Sequence, residues 1–236
     1  MTIRGTHLAE ALVRSGQHWQ TQKEKPGSPP AFTIALSRQV GARGTSIARE
    51  VGARLGWLVY DRELLEQIAR EMDVRVQLIQ SVDEKQVGMI KELIESVMAL
   101  PRVSQDVYIR HLLDTIFSLG SHGECIIVGR GAAQILPPTT TLRVRLVATL
   151  DDRITVMMEK LGVSREETVR HIELADRERI RFVQEHFHKD PTDPLQYDLV
   201  LNSSRFSNGE CAELIILALR QLKQRVLAKS EALLRA

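Results

Sequence analysis

The sequence has little aromatic character. Phe, Trp and Tyr make up 4% of its 236 residues, which argues against a stacking platform for single-stranded nucleic acid. It has only two cysteines, Cys125 and Cys211. They follow no metal-ligand spacing, and two reduced thiols in a cytoplasmic protein is the expected state. No apolar run approaches the roughly eighteen residues of a membrane span. An excess of one charge is missing too: the formal net charge is +2, so nothing global points to nucleic acid, and basic residues matter only where they converge. The first residues carry Arg4, Glu10 and Arg14 among Ala and Leu without a signal-peptide core. A short surface helix is expected there, with a transit peptide as the weaker alternative. What is present is ordinary: 43% hydrophobic and 26% charged residues, the balance of a soluble chain long enough for one sizeable α/β domain with an accessory part.

The informative stretch is 32–48, FTIALSRQVGARGTSIA. A short apolar run ends in a Gly-containing loop that leads through Thr45 and Ser46 into an amphipathic segment. Strand, loop, hydroxyl pair and helix is the layout of a phosphate-binding P-loop, whose backbone N–H groups and helix N-terminus hold phosphate oxygens. The residues depart from G-x-x-x-x-G-K-[ST]. With Thr45 at the hydroxyl position, Gly44 stands where the lysine belongs, Arg43 at the last glycine and Arg38 at the first.

Around this stretch the chain reads as follows. Residues 6–20 have helical spacing and GSPP at 27–30 is a linker, so 1–30 is an appendage to a main domain over 31–227, with 228–236 as a tail. The first strand is 32–37. A helix over 45–55 carries Ile47, Ala48, Val51 and Leu55 on one face and stops at Gly56. WLVY at 57–60 is a second strand, and Asp61 caps a helix with Leu64, Leu65, Ile68, Ala69 and Met72 inward. From 74 to 119 no strand is expected. Val87, Ile90, Ile94 and Val97, then Leu112, Ile116 and Leu119, recur at helical spacing on either side of Pro101. This helical insertion is read chiefly as core packing, with a homodimer contact as the minority reading. CIIVGRG at 125–131 is a third strand running into a Gly-Arg-Gly turn, and LRVRLVA at 142–148 a fourth. Asp151 caps the next helix and Gly162 ends it. Ser164 with Glu167 forms a capping box for a long charged helix to about His186, a lid-like element over 162–190. YDLVLN at 197–202 is the fifth strand, and Ser207 with Glu210 caps the last helix.

Strands alternating with helices, joined by connections long enough for crossovers, predict an α/β fold. Its core is a five-stranded parallel sheet of P-loop NTPase type with helices on both faces. Ligands of such sheets bind at the carboxyl ends of the strands, where Arg38, Asp61, Arg130 and Arg153 fall. Arginines converging over a phosphate loop suit phosphoryl transfer, which is mostly positioning and charge neutralisation. Each also has a plainer reading: a strand-end arginine pairs with a nearby acid, and ADRERIRF at 175–182 is a solvated helix face. Asp61 is equally well a helix cap, and Asp198 a strand-edge pairing. His186 and His188 lack a third ligand for a metal.

The ordered set SRQVGARGTSIARE (37–50), LGWLVYDRELLEQIA (55–69), IIVGRGA (126–132), DDRI (151–154), ADRERIRF (175–182) and YDLVLNSS (197–204) resembles the cytidylate kinase-like family, a divergent branch of the P-loop nucleoside monophosphate kinases. The resemblance spans roughly 32–220 and includes the altered loop itself. It implies transfer of the ATP γ-phosphoryl group, with Mg²⁺, to CMP, dCMP or a related phosphorylated acceptor. The alternative is a kinase-derived domain that binds a nucleotide or phospholigand without turnover. By resemblance, Gly41, Gly44, Thr45 and Ser46 hold the donor phosphates, with Thr45 also serving Mg²⁺ through the nucleotide. Arg38 or Arg43 replaces the missing lysine. Arg130 binds the acceptor phosphate, with Asp61, Arg62 and Asp198 on the acceptor side. Arg153 contacts the donor, while Asp176, Arg177 and Arg181 close over the transferring group. The implied partner is a small nucleotide, with neither nucleic acid nor membrane.

Overall fold

A computed structural model describes residues 30–65 and 107–234. The chain divides into two compact units, one of residues 1–31 and 62–123, the other of residues 32–61 and 124–236. The expected helix over 6–20, the linker before residue 30, the apolar positions from Ile68 to Val97, and Pro101 lie outside the described residues.

In chain order the elements are β1 (Thr33–Arg38), α1 (Gly44–Leu55), β2 (Leu58–Tyr60), α2 (Val107–His122), β3 (Cys125–Val128), α3 (Ala132–Ile135), β4 (Thr141–Val147), α4 (Leu150–Leu161), α5 (Arg165–Phe187), β5 (Leu199–Asn202) and α6 (Asn208–Leu234). Helix α2 belongs to the smaller unit, and its Leu112, Ile116 and Leu119 are buried, as their spacing predicts. The remaining elements form the larger unit. Its sheet has the order β2-β3-β1-β4-β5 with every neighbouring pair parallel. The order reverses at β1, so the loop after β1 leaves the middle of the sheet at its carboxyl edge, the crevice where such sheets bind ligands.

Side-chain alternation divides the sheet into two unlike faces. Ile34, Leu36, Ile126, Val128, Val144 and Leu146 point one way, into a core with Ile47, Ala48 and Val51 of α1 and Cys211, Ala212 and Ile215 of α6. Burying each of the larger side chains contributes about 1.5–3 kcal/mol. A second, smaller cluster of Val40, Ile154, Met157 and Ile172 joins the loop after β1 to α4 and α5. The alternate residues of β4, Arg143 and Arg145, point away from the main core.

The chain punctuation is as expected in most places. Gly56 and Gly162 close α1 and α4 in the left-handed conformation. Ser164 and Glu167 form the full capping box of α5, and Ser207 and Glu210 bond reciprocally before α6. Three readings change. The cap of α4 is Thr149, whose hydroxyl accepts from the Asp152 N–H, and Asp151 lies inside the first turn. The last strand begins at Leu199, because a 3₁₀ turn over Pro194–Gln196 carries Tyr197 and Asp198 in front of it. A short helix, α3, follows the Gly-Arg-Gly turn where none was expected. Among the described residues no helix is long and apolar enough to cross a membrane.

Both cysteines are buried and free. Burial pushes the Cys125 thiol up to about 12 and raises Cys211 as well. Since the thiolate is the nucleophile, neither should react with iodoacetamide at pH 8 in the native protein, and both should label once it is unfolded. Native-state labelling at the rate of a free thiol would contradict this packing.

Candidate functional site

The loop after β1 is shaped by two glycines and two arginines. Gly41 has φ +81, and a Cβ there would lie 2.6 Å from the backbone oxygen of Arg153 in α4. Only glycine fits a position that is both left-handed and pressed on another backbone. At Gly44 a Cβ would lie 2.6 Å from Cγ and 2.9 Å from Cβ of Arg38. The Arg38 stem therefore runs across the space that a lysine at position 44 would need. Its guanidinium ends against Gly129, where a Cβ would collide with Nη1. Arg38 thus spans from the end of β1, over the first residue of α1, to the turn after β3.

Arg43 does something else. It stands at the N-cap of α1 in the left-handed conformation (φ 54). Its Nη2 donates to the carbonyl oxygens of Ser203 and, at 2.7 Å, of Phe206 in the β5–α6 connection. Those bonds turn its charge away from the loop's interior, so of the two candidates for the missing cation the geometry favours Arg38. Thr45 and Ser46 open the first turn of α1, which contains no acidic residue, so the positive end of the helix dipole is not neutralised from within.

A closed ring of hydrogen bonds holds the loop from the other side. Arg153 Nε donates to the Val40 carbonyl at 2.6 Å, Arg153 Nη2 donates to Asp176 Oδ2, and the Val40 N–H donates to Asp176 Oδ1 at 2.8 Å. Arg153 is only 7% exposed. The expected donor contact for Arg153 is therefore recast: its Nε and Nη2 are committed to the loop and to α5. Asp176 likewise braces the loop.

One helical turn further along α5, Arg179 Nη1 donates to the Arg38 carbonyl at 3.1 Å. Positions 176 and 179 share a helix face, whereas 177 and 181 lie on another. Arg177 is exposed, and Arg181 faces Glu185 at 3.9 Å as a solvated i,i+4 pair. Arg177 and Arg181, expected to close over the transferring group, lie on another face of α5 in this structure, and Arg179 is the arginine of this helix bonded to the Arg38 carbonyl.

The turn after β3 has three successive left-handed residues, Gly129, Arg130 and Gly131, with φ 85, 50 and 73. Phe187 packs on Gly131 so closely that a Cβ there would overlap its ring. The Arg130 guanidinium carbon lies 4.8 Å from the ring centroid of Phe182. The arginine thus lies at the carboxyl end of β3, beside the tip of Arg38.

The acidic candidates fare differently. Asp61 follows β2 at its carboxyl end, 3.9 Å from Arg49, and Arg62 is exposed at the start of a helical turn. Asp198 lies before β5, at the amino end of the strand. Its carboxylate accepts from Arg143 Nη2 at 2.7 Å, from Arg143 Nε at 3.2 Å and from the Arg143 N–H at 2.8 Å. These bonds raise the Arg143 guanidinium above its ordinary value. Asp198 is therefore held as a strand-edge partner of Arg143 at the amino end of β5, the plainer of the two readings its sequence position offered.

Arg145, by contrast, was not anticipated. It is 9% exposed, and its Nη1 donates to Ser37 Oγ at 3.0 Å and to the Tyr197 hydroxyl at 3.3 Å. The Tyr197 hydroxyl donates in turn to the Pro191 carbonyl and accepts from Gln134. The alternation of LRVRLV, with arginines facing away from the apolar core, was the available signal.

Among the described residues no group of three His, Cys, Asp or Glu side chains could hold a metal ion. The first turn of α1, with its free dipole and two hydroxyls, and the Arg38 guanidinium fit a phosphate chain that brings its own cation.

A protein-family model described as the cytidylate kinase-like family matches residues 33–205. A cytidylate kinase from Methanopyrus kandleri is 31% identical over 112 residues, which cover 44% of this chain; the chain spans 58% of that relative's length. The crystal structure of an uncharacterized protein from Eubacterium ventriosum superposes with a TM-score of 0.64 at 20% identity, over 80% of this chain and 98% of that one, which is a likeness of fold.

Proposed function

Because this chain belongs to the cytidylate kinase-like family, we propose that it transfers the γ-phosphoryl group of ATP, with Mg²⁺, to CMP, dCMP or a related phosphorylated acceptor. The observation that carries the reading is the path of Arg38. Its stem fills the space beside Gly44 and its tip reaches Gly129, so a guanidinium takes the place of the lysine that the loop lacks. A bidentate planar cation suits phosphate oxygens at least as well as an ammonium.

In this reading the backbone N–H groups around Gly41 and Gly44, the N-terminus of α1, and the hydroxyls of Thr45 and Ser46 bind the donor phosphates. Arg130 holds the acceptor phosphate, and Asp61 lies on the acceptor side. An acceptor phosphate oxygen attacks the γ-phosphorus. The bond from that phosphorus to the β–γ bridging oxygen breaks, and ADP departs with the electron pair. A phosphate monoester is largely dianionic at pH 7, so no general base is needed. Bound Mg²⁺ would neutralise charge on the phosphoryl oxygens, held by the nucleotide with the Thr45 hydroxyl as its protein contact. Arg153 and Asp176 position the loop, and Arg179 fastens α5 across it.

A second reading, a nucleotide-binding domain without turnover, is favoured by Gly44 itself. One experiment separates them: ADP release against a panel of nucleoside monophosphates, with thermal shift measured in parallel. ADP release with at least one acceptor is expected. Nucleotide-dependent stabilisation, about 2.7 kcal/mol at a hundredfold excess over Kd, with no turnover for any acceptor would decide for the second reading. Neither response would reject both.

A further inference from the structure

We propose that Phe182 is a positioning residue: its ring holds the Arg130 guanidinium in the orientation that grips the phosphate of a monophosphate acceptor. The inference rests on the assignment of Arg130 to the acceptor and goes beyond it by naming what aims that arginine.

The backbone gives Arg130 little help. It sits at φ 50 between two left-handed glycines, a conformation that a non-glycine residue adopts only when its surroundings hold it. Those surroundings come from the end of α5. Phe187 is 5% exposed and seals Gly131 from above. Phe182 meets Phe187 edge-on at 5.8 Å and His186 at 4.8 Å, so its ring is braced on two sides. The guanidinium carbon of Arg130 lies over that ring at 4.8 Å. The turn and the helix therefore interlock at adjacent points, glycine under one ring and arginine over the other.

An aromatic face is suited to this task in a way that a carboxylate is not. A stacked guanidinium uses its face, and its five N–H donors lie in the plane, directed away from the ring. A ring does not itself neutralise the cation that stacks on it, whereas a carboxylate such as the one that holds Arg153 does. Helix α5 is itself fastened to the donor loop by Asp176 and Arg179. One helix face thus fixes the donor loop with its polar residues and aims the acceptor arginine with its aromatic ones. Among the described residues, Lys223 lies over Phe32 and Trp57, next to the amino ends of β1 and β2, and Arg145, over Tyr197, spends its Nη1 on Ser37 and the Tyr197 hydroxyl.

The test uses the full chain with CMP, dCMP, AMP, UMP and GMP as acceptors. Steady-state kinetics and calorimetry are run on the wild type, Phe182→Leu, Phe182→Trp, Arg130→Ala and the Phe182→Leu/Arg130→Ala double variant. Phe182→Leu should raise the acceptor KM and Kd about tenfold, change kcat less, and leave the ATP Kd unchanged. Phe182→Trp should restore acceptor affinity, and Phe182→Leu should add nothing in the Arg130→Ala background. Acceptor binding that Arg130→Ala abolishes but Phe182→Leu leaves intact would overturn the inference alone. So would a Phe182→Leu defect that falls equally on ATP, or one that Trp does not repair. A wild type that binds no monophosphate would overturn the functional reading and this inference with it.

Discussion

Arg38→Ala is expected to lower kcat by about 10³-fold while the protein stays folded and continues to bind ATP with reduced affinity. The side chain leaves the sheet at the end of β1 and crosses the first residue of α1. Arg43 is spent on the Ser203 and Phe206 carbonyls, and Arg153 on Val40 and Asp176. The fold should tolerate the loss, because the bond that Arg179 makes here is to the Arg38 backbone carbonyl, which alanine keeps.

A companion variant sharpens the result. Gly44→Lys restores the conventional residue but places its Cβ 2.6 Å from the Arg38 stem, close to the backbone where the arginine cannot yield cheaply. Alone it should therefore reduce activity. In the Arg38→Ala background the Cγ and Cδ contacts are gone and only the contact with the residue's Cβ, at 2.9 Å, has to ease, so Gly44→Lys should recover about tenfold of the lost rate, about 1.4 kcal/mol of transition-state stabilisation. An Arg38→Ala protein with near-normal kcat would refute the substitution of guanidinium for ammonium. A fully active Gly44→Lys single variant would refute the crowding argument.

The second large effect concerns stability. Arg153→Ala should destabilise the protein by about 3 kcal/mol, the lower end of the cost of removing one partner from a buried ion pair. Several bonds go at once: the Val40 carbonyl loses its donor, and Asp176 keeps its charge with only the Val40 N–H for company. For a chain of this size that corresponds to a fall in Tm of roughly 6–12 °C. The neutral pair Arg153→Met with Asp176→Leu should regain part of the stability, since no unpaired charge is left behind. It should not regain ATP affinity, because both polar groups of the Val40 peptide are then unheld. Denaturant unfolding and ATP calorimetry on the three proteins read the two quantities separately. Recovery of both in the double variant would show that the ring serves stability only.

The elements that were legible in the sequence are those written in local patterns. The five parallel strands, the amphipathic α1, the Gly56 and Gly162 stops and the Ser164 capping box each depend on residues within a turn or two. Helix phase would also have chosen Arg179 over Arg177 and Arg181, given Asp176 as the reference. The bonds that decide the roles of the arginines are of another kind. Arg43 reaches a carbonyl 160 positions away and Arg153 one 113 positions away, and nothing local marks either side chain as an anchor rather than a ligand. Asp198 is a similar case: its tie to Arg143, 55 positions earlier, is not marked by anything local in YDLVLN. The position of Arg130 after β3 was legible because the Gly-Arg-Gly turn is itself local.

The ring around Val40 has a consequence for binding entropy. Ordering a flexible residue costs roughly 1–2 kcal/mol of conformational freedom, and a mobile phosphate loop would meet that cost each time a nucleotide arrived. Here both polar groups of Val40 are pinned by α4 and α5, Gly41 is wedged on the Arg153 backbone, and Arg43 is tied to the β5–α6 connection. The loop is ordered once, at folding. ATP association should accordingly show a small unfavourable entropy for its phosphates, and weakening the ring should appear first as an entropic penalty on binding.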